Sequence, residues 1–263
     1  MLLEQKAGKL TVRVYDTRTE LGNAAAQDAV AALQACIRAK GRATVVFAAA
    51  PSQNEFLEAL CAADVDWTCV RAFHMDEYIG LPSDAPQGFG NFLKRAIFSR
   101  VPFQEVLYIN GNAPVIEAEI ARYSALLEQT PPDIVFMGIG ENGHIAFNDP
   151  HVAHFDDDCQ MKVVTLDDKC RQQQVNDGCF DKLADVPKQA LTLTIPALMA
   201  AEVVFCMVPA ATKETAATKA VLGEIRETLP ASILRLHPHA TLYLDRESGK
   251  GVLQACSGCN GKG

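Results

Sequence analysis

The chain has no apolar stretch approaching the roughly 18 uncharged residues that a membrane-spanning helix needs. It lacks a basic excess as well. Lys and Arg number 24 against 32 Asp and Glu, a formal net charge of -8. Nucleic acid is therefore not an expected partner, because neutralising a phosphate backbone takes a basic face. A few local donors can still hold a phosphorylated metabolite on an acidic protein. A secretory core is also missing, since Met1-Leu2-Leu3 runs straight into Glu4 and Lys6. Nine cysteines are scattered and odd in number. That pattern argues for reduced thiols in a cytoplasmic protein rather than a disulfide framework. The one close pair, Cys256-Ser257-Gly258-Cys259, has no second pair or histidines near it. Four ligands are the norm for structural zinc, so no metal is expected there.

What is present is an alternation of short apolar runs with helical spacings over 263 residues. Strands are expected over residues 10–15, 43–48, 69–73, 106–109, 133–137, 162–166, 190–195, 203–208 and 240–244. Helices are expected over 23–39, 52–60, 89–98, 114–128 and 211–222, the second with Ser52 as N-cap and Glu55 three residues on. Runs such as Ala43–Ala48 carry no polar alternation, as in strands buried on both faces. The order points to βαβ units and a mainly parallel sheet. No linker or repeat divides the chain. Residues 1–247 read as one α/β domain, and 248–263 as a polar, glycine-rich, mobile tail.

Two segments carry acid–base side chains directly after expected strands, where ligands bind in open parallel sheets. Gly138-Ile139-Gly140-Glu141-Asn142-Gly143 matches G-x-G-x-x-G after a strand. It lies mid-chain with no long amphipathic helix behind it, which disfavours a dinucleotide loop. His144 follows, a residue type that can both give and take a proton, and Asp149 five residues on can orient such a ring. The plainer alternative is a histidine bonded within a turn that Asp149-Pro150 builds. In the other segment, Asp76 follows a strand between Met75 and Ile79. Partial desolvation there would raise its pKa and make it a better base. Alternatively, Asp76 or Glu77 caps the next element or pairs with Arg71 or Lys94.

Met75-Asp76-Glu77-Tyr78-Ile79-Gly80-Leu81-Pro82, followed by Gly138 to Asn148, is similar to the glucosamine-6-phosphate deaminase/isomerase family. Asn110-Gly111-Asn112-Ala113, Asp185 to Thr192, and Leu236 to Ala240 resemble family segments too. The resemblance implies a three-layer α/β sandwich with a modified doubly wound, Rossmann-like sheet. It implies conversion of glucosamine 6-phosphate to fructose 6-phosphate and ammonia without cofactor or metal. Asp76 would move the proton between C2 and C1, and His144 would open the sugar ring. Asp149, in place of the usual Glu, would tune His144. Asn142 stands where many members have Asp. Lys213 matches a phosphate-binding lysine, while Arg171 matches a family arginine. Ser52 and Gly140 complete the expected substrate-binding set.

Two departures stand out. The usual Thr-Gly-Gly-Thr phosphate loop is Ala48-Ala49-Ala50-Pro51-Ser52-Gln53 here, and a second family arginine has no clear counterpart after Arg171. Asp156-Asp157-Asp158 would repel the phosphorylated activator that some hexameric members bind. A 6-phosphogluconolactonase, a galactosamine-6-phosphate isomerase and a non-catalytic sugar-phosphate sensor are the alternatives. The sensor is disfavoured because the chain opens directly on its first strand. Family members range from monomers to hexamers, so homo-oligomerisation is an open expectation.

Overall fold

The computed structural model describes residues 1–259. Its strands are β1 Leu3–Ala7, β2 Leu10–Val14, β3 Ala43–Phe47, β4 Val70–His74, β5 Asp76–Tyr78, β6 Glu105–Leu107, β7 Ile134–Met137, β8 Met161–Thr165, β9 Gln189–Leu193, β10 Val203–Val208 and β11 Ala240–Leu244. The helices are α1 Arg18–Lys40, α2 Asn54–Cys61, α3 Phe89–Leu93, α4 Ile116–Gln129, α5 Asp168–Asn176, α6 Ile195–Met199, α7 Glu214–Leu222 and α8 Lys250–Cys259. Eight strands form one sheet in the order β1-β2-β11-β10-β7-β3-β4-β6. All its pairings are parallel except that of edge strand β1 with β2. Strands β5, β9 and β8 make a small antiparallel sheet.

Strand β3 is buried at all five positions, as its unalternated run requires. Its side chains divide between two cores. Val46 packs with residues of α4, α6, α7 and α8, whereas Val45 and Phe47 pack with residues of α1, α2 and α3. One core on each face makes three layers, the doubly wound arrangement. The chain enters at β2, jumps to β3, runs outward through β4 and β6, and returns to β7. The neighbours β3 and β7 therefore send their following loops apart, which opens a crevice above their C-terminal ends.

Local chemistry sets the element ends. Thr17 caps α1 by accepting from the Glu20 N–H at 3.1 Å, and Gly41 ends it at φ 71°. The expected Ser52 N-cap does not form. Residues 51–53 make a 3₁₀ turn, the Ser52 hydroxyl accepts from Gln53 Nε2 at 3.0 Å, and Glu55 pairs with Arg18 instead. The segment expected to be a mobile tail is helical over Lys250–Cys259, because Val252 is fully buried against the sheet and Leu253 packs beside it. Residues 260–263 of that segment and the side chain of Cys259 lie outside the described residues.

Candidate active site

A cavity open to solvent lies above the C-terminal ends of β3, β4, β7 and β10. Asp76, His144, Ser52, Gly140 and Lys213 all line it. They come from four different strand-end loops, which is what the switch point of a doubly wound sheet makes possible.

Asp76 arrives on β5, opposite Thr192 of β9. Its backbone is pinned by His74. The Ile109 N–H donates to His74 Nε2 at 2.9 Å, so the ring proton is on Nδ1, which donates to the Asp76 carbonyl at 2.9 Å. Burial pushes the His74 pKa down to about 4, so the ring stays neutral. The Asp76 side chain is only 5 % exposed. Its carboxylate accepts no hydrogen bond from any described residue, and burial, then the Glu77 charge, hold its pKa well above the ordinary range. Glu77 does the capping that sequence left open between the two acids. It accepts from the N–H groups of Phe89 at 3.0 Å and Gly90 at 2.8 Å, the first residues of α3. Arg71 pairs with Glu105.

His144 is built quite differently. Its Nδ1–H donates to Asn142 Oδ1 at 2.7 Å and lies 3.1 Å from Asp149 Oδ1. The second nitrogen, Nε2, has no partner among the described residues and is left for the cavity that the residue lines. The Asn142 amide donates to Asp149 Oδ1 and to Asp167 Oδ2, both at 2.9 Å. Asp149 is fully buried. Burial alone would raise its pKa, but hydrogen bonds from His144, Asn142 and the Asp167 N–H leave it lowered. Gly140 packs on the imidazole so closely that a Cβ there would sit 2.1–2.3 Å from three ring atoms. The glycines of this turn thus make room for a side chain, not for a pyrophosphate.

Lys213 sits on the short turn before α7 and is 5 % exposed. Its ammonium has no hydrogen-bond partner among the described residues, and burial lowers its pKa. The preceding Ala210 holds φ 88°, a conformation that costs a non-glycine residue about 1–3 kcal/mol and recurs at functional sites. Gln53 adds a second buried orphan, its Oε1.

Arg171 does not join the cavity. Its guanidinium bonds Asp168 at 3.0 Å and the carbonyls of Leu183 at 2.6 Å and Val186 at 3.0 Å, holding the loop before β9. Gln173, Gln174 and Asp177 of the same region line the site instead, as does Arg18, paired with Glu55 at 2.6 Å. Sequence reasoning missed these four. The run Gln172-Gln173-Gln174 in a segment too polar for a core was the available signal. His144, Asp149 and Cys170 each offer a ligand atom within 4.8 Å of the others. The first two are engaged in the hydrogen bonds just described, so no metal is assigned to them.

A buried carboxylate, an oriented imidazole and an unpaired ammonium around one strand-end cavity define an acid–base enzyme for a small anionic substrate. Residues 16–243 match the family described as glucosamine-6-phosphate isomerases/6-phosphogluconolactonase, and the chain belongs to that family. A glucosamine-6-phosphate deaminase of Streptococcus sanguinis SK36 is 35 % identical over 210 residues, covering 80 % of this chain and 87 % of the relative. One from Streptococcus equi subsp. equi is 32 % identical over 207 residues, covering 79 % and 86 %. Among solved structures, a monomeric glucosamine-6-phosphate deaminase superposes with a TM-score of 0.82 at 29 % identity, covering 91 % of this chain and 99 % of its own. The 6-phosphogluconolactonase of Thermotoga maritima superposes at 0.73 with 18 % identity, a likeness of fold, covering 90 % and 99 %.

Proposed function

We propose that this protein is a glucosamine-6-phosphate deaminase. The observation that carries the reading is the buried Asp76 carboxylate, which accepts no hydrogen bond from any described residue, in the same cavity as His144 and a Lys213 ammonium without a partner among those residues. The phosphate binds Lys213, with Ser52 and the amide groups at the start of α2 as further donors. Arg18, beside Ser52, adds positive charge. His144, through Nε2, moves the proton between the ring oxygen and O1 as the pyranose opens. Asp76 takes the proton from C2 of the open chain and returns it to C1 through an enolamine. Water then releases ammonia, so glucosamine 6-phosphate and water give fructose 6-phosphate and ammonia. The substrate's ammonium, entering beside Asp76, favours the carboxylate form that burial disfavours.

Eight free thiols among the described residues support a cytoplasmic setting. Association of copies is tested by light scattering of the purified protein. The function is tested by ammonia release, with glucosamine and galactosamine 6-phosphates side by side and 6-phosphogluconolactone as control. Release from glucosamine 6-phosphate is expected. Release from galactosamine 6-phosphate alone would change the epimer, and lactone opening without ammonia would overturn the reading.

A further inference from the structure

We propose that Asp167 is a positioning residue for His144, acting through the side-chain amide of Asn142. The proposal rests on the ring-opening role given to His144 above. Asn142 stands between two carboxylates and one imidazole. An amide has two N–H donors and one carbonyl, and here every one is used. The N–H groups go to Asp149 Oδ1 and Asp167 Oδ2, each at 2.9 Å. The carbonyl accepts from the His144 ring at 2.7 Å and from the His144 backbone N–H at 3.1 Å. Rotating the amide by half a turn would set its oxygen against two carboxylates and its N–H₂ against two donors. The carboxylates therefore select the orientation that presents a carbonyl to Nδ1–H and keeps Nε2 for the substrate.

Asp149 alone does not secure this, because one of its oxygens serves both Asn142 and His144. Asp167 holds the far N–H, and it is itself anchored. Its Oδ1 accepts from the Cys170 N–H at 2.6 Å, capping α5, and its own N–H donates to Asp149 Oδ2 at 3.1 Å. One carboxylate thus ties the α5 helix, which brings Gln173 and Gln174 to the cavity, to the amide that orients the imidazole.

The two roles separate by substitution. Asp167→Ser keeps an N-cap oxygen for α5 but has nothing that reaches Asn142. Its kcat on cyclic glucosamine 6-phosphate is expected to fall about tenfold to a hundredfold, with KM within about twofold. Turnover of an open-chain analogue should change less than about twofold, because Asp76 is untouched. By NMR, the His144 Nδ1–H proton is expected to be protected from exchange in the wild type and to broaden in this variant. Asp167→Asn keeps a cap oxygen for α5 but sets its N–H₂ against the Asn142 N–H, so it removes the relay without removing the cap. It is expected to lose the protected proton and to lower kcat to the same extent as Asp167→Ser. An Asp167→Ser protein that keeps both the protected proton and its cyclic-substrate kcat would overturn the proposal, as would an Asp167→Asn protein that keeps both. If the wild type turns over no amino-sugar phosphate, the function proposed above falls, while the NMR comparison still decides the relay.

Discussion

Two parts of the cavity wall obey opposite rules. Around His144 the groups that orient the ring are satisfied: Asn142 uses its whole hydrogen-bonding capacity, and Asp149 accepts from three partners. Across the cavity, the Asp76 carboxylate accepts no hydrogen bond from any described residue, and Lys213 Nζ and Gln53 Oε1 are buried without partners among those residues. A satisfied buried network contributes to stability and fixes geometry, whereas an unsatisfied buried charge costs stability until a ligand supplies its partner. The first wall is thus complete without substrate, and the second is complete only with it. The contrast makes a prediction that neither wall makes alone. Substitutions on both sides should lose activity, but only those on the second should gain stability.

The largest effect belongs to Asp76→Asn. It removes the base and should lower kcat by about a thousandfold or more. The same change should raise Tm at neutral pH. A carboxyl whose folded pKa lies above its ordinary 3.8 binds protons more tightly in the folded state. The cost of ionising it is absent below about pH 4 and grows as pH rises toward the folded value. The gain of the variant should therefore vanish in acid and appear at neutral pH. Calorimetry at the two pH values checks the sign, and an equal Tm difference at both would break the comparison.

Lys213→Met comes next. Losing the phosphate cation should raise KM by about tenfold to a hundredfold with a smaller change in kcat, since ground and transition states share that contact. The buried ammonium has a lowered pKa, so it costs stability at every pH below that value. Replacing it with a neutral chain of similar length should raise Tm by roughly 2–4 °C for each kcal/mol recovered. Inorganic phosphate should stabilise the wild type and not the variant.

Asp149→Asn tests the other wall and should reverse the sign of the stability change. Its lowered pKa means the carboxylate stabilises the fold above about pH 4, and that contribution is lost as pH falls through the folded value. The variant should be less stable by about 1–3 kcal/mol at neutral pH, with the deficit closing in acid. A rise in Tm at pH 7 would show that this network is strained rather than supportive.

The sequence carried one wall better than the other. His144 and Asp149 were legible because a turn of fixed length brings them together, and Gly138–Gly143 marked the turn. Asp76 was legible as a strand-end acid, and its raised pKa follows from its burial and then from the neighbouring Glu77 charge. The strands were legible because runs such as Ala43–Phe47 admit no other reading. Less local features were not. Strand β5 has three residues, and strand β1 alternates between half-buried and exposed positions. Helix α5 has no apolar stripe, so nothing in its spacing says which of Arg171, Gln173 and Gln174 meets the cavity. That is decided by the Asp167 cap and by the carbonyls of Leu183 and Val186, which lie 12 and 15 residues beyond the arginine.

Arg171 accordingly gives the smallest effect on chemistry and the sharpest check on how far a family pattern transfers. Were it a phosphate ligand, Arg171→Gln would raise KM as Lys213→Met does. The geometry instead places its charge on Asp168 and two loop carbonyls, away from the cavity. Removing a buried guanidinium that satisfies two carbonyls should cost about 1–3 kcal/mol. KM should stay within about twofold, because no substrate contact is lost. A Tm loss with an unchanged KM would place Arg171 with the satisfied wall, as a brace for the loop that leads into β9 and so for the strand that pairs with Asp76. A tenfold rise in KM at unchanged Tm would instead mean that the guanidinium swings to the phosphate on binding, and the boundary between the two walls would have to be redrawn through α5.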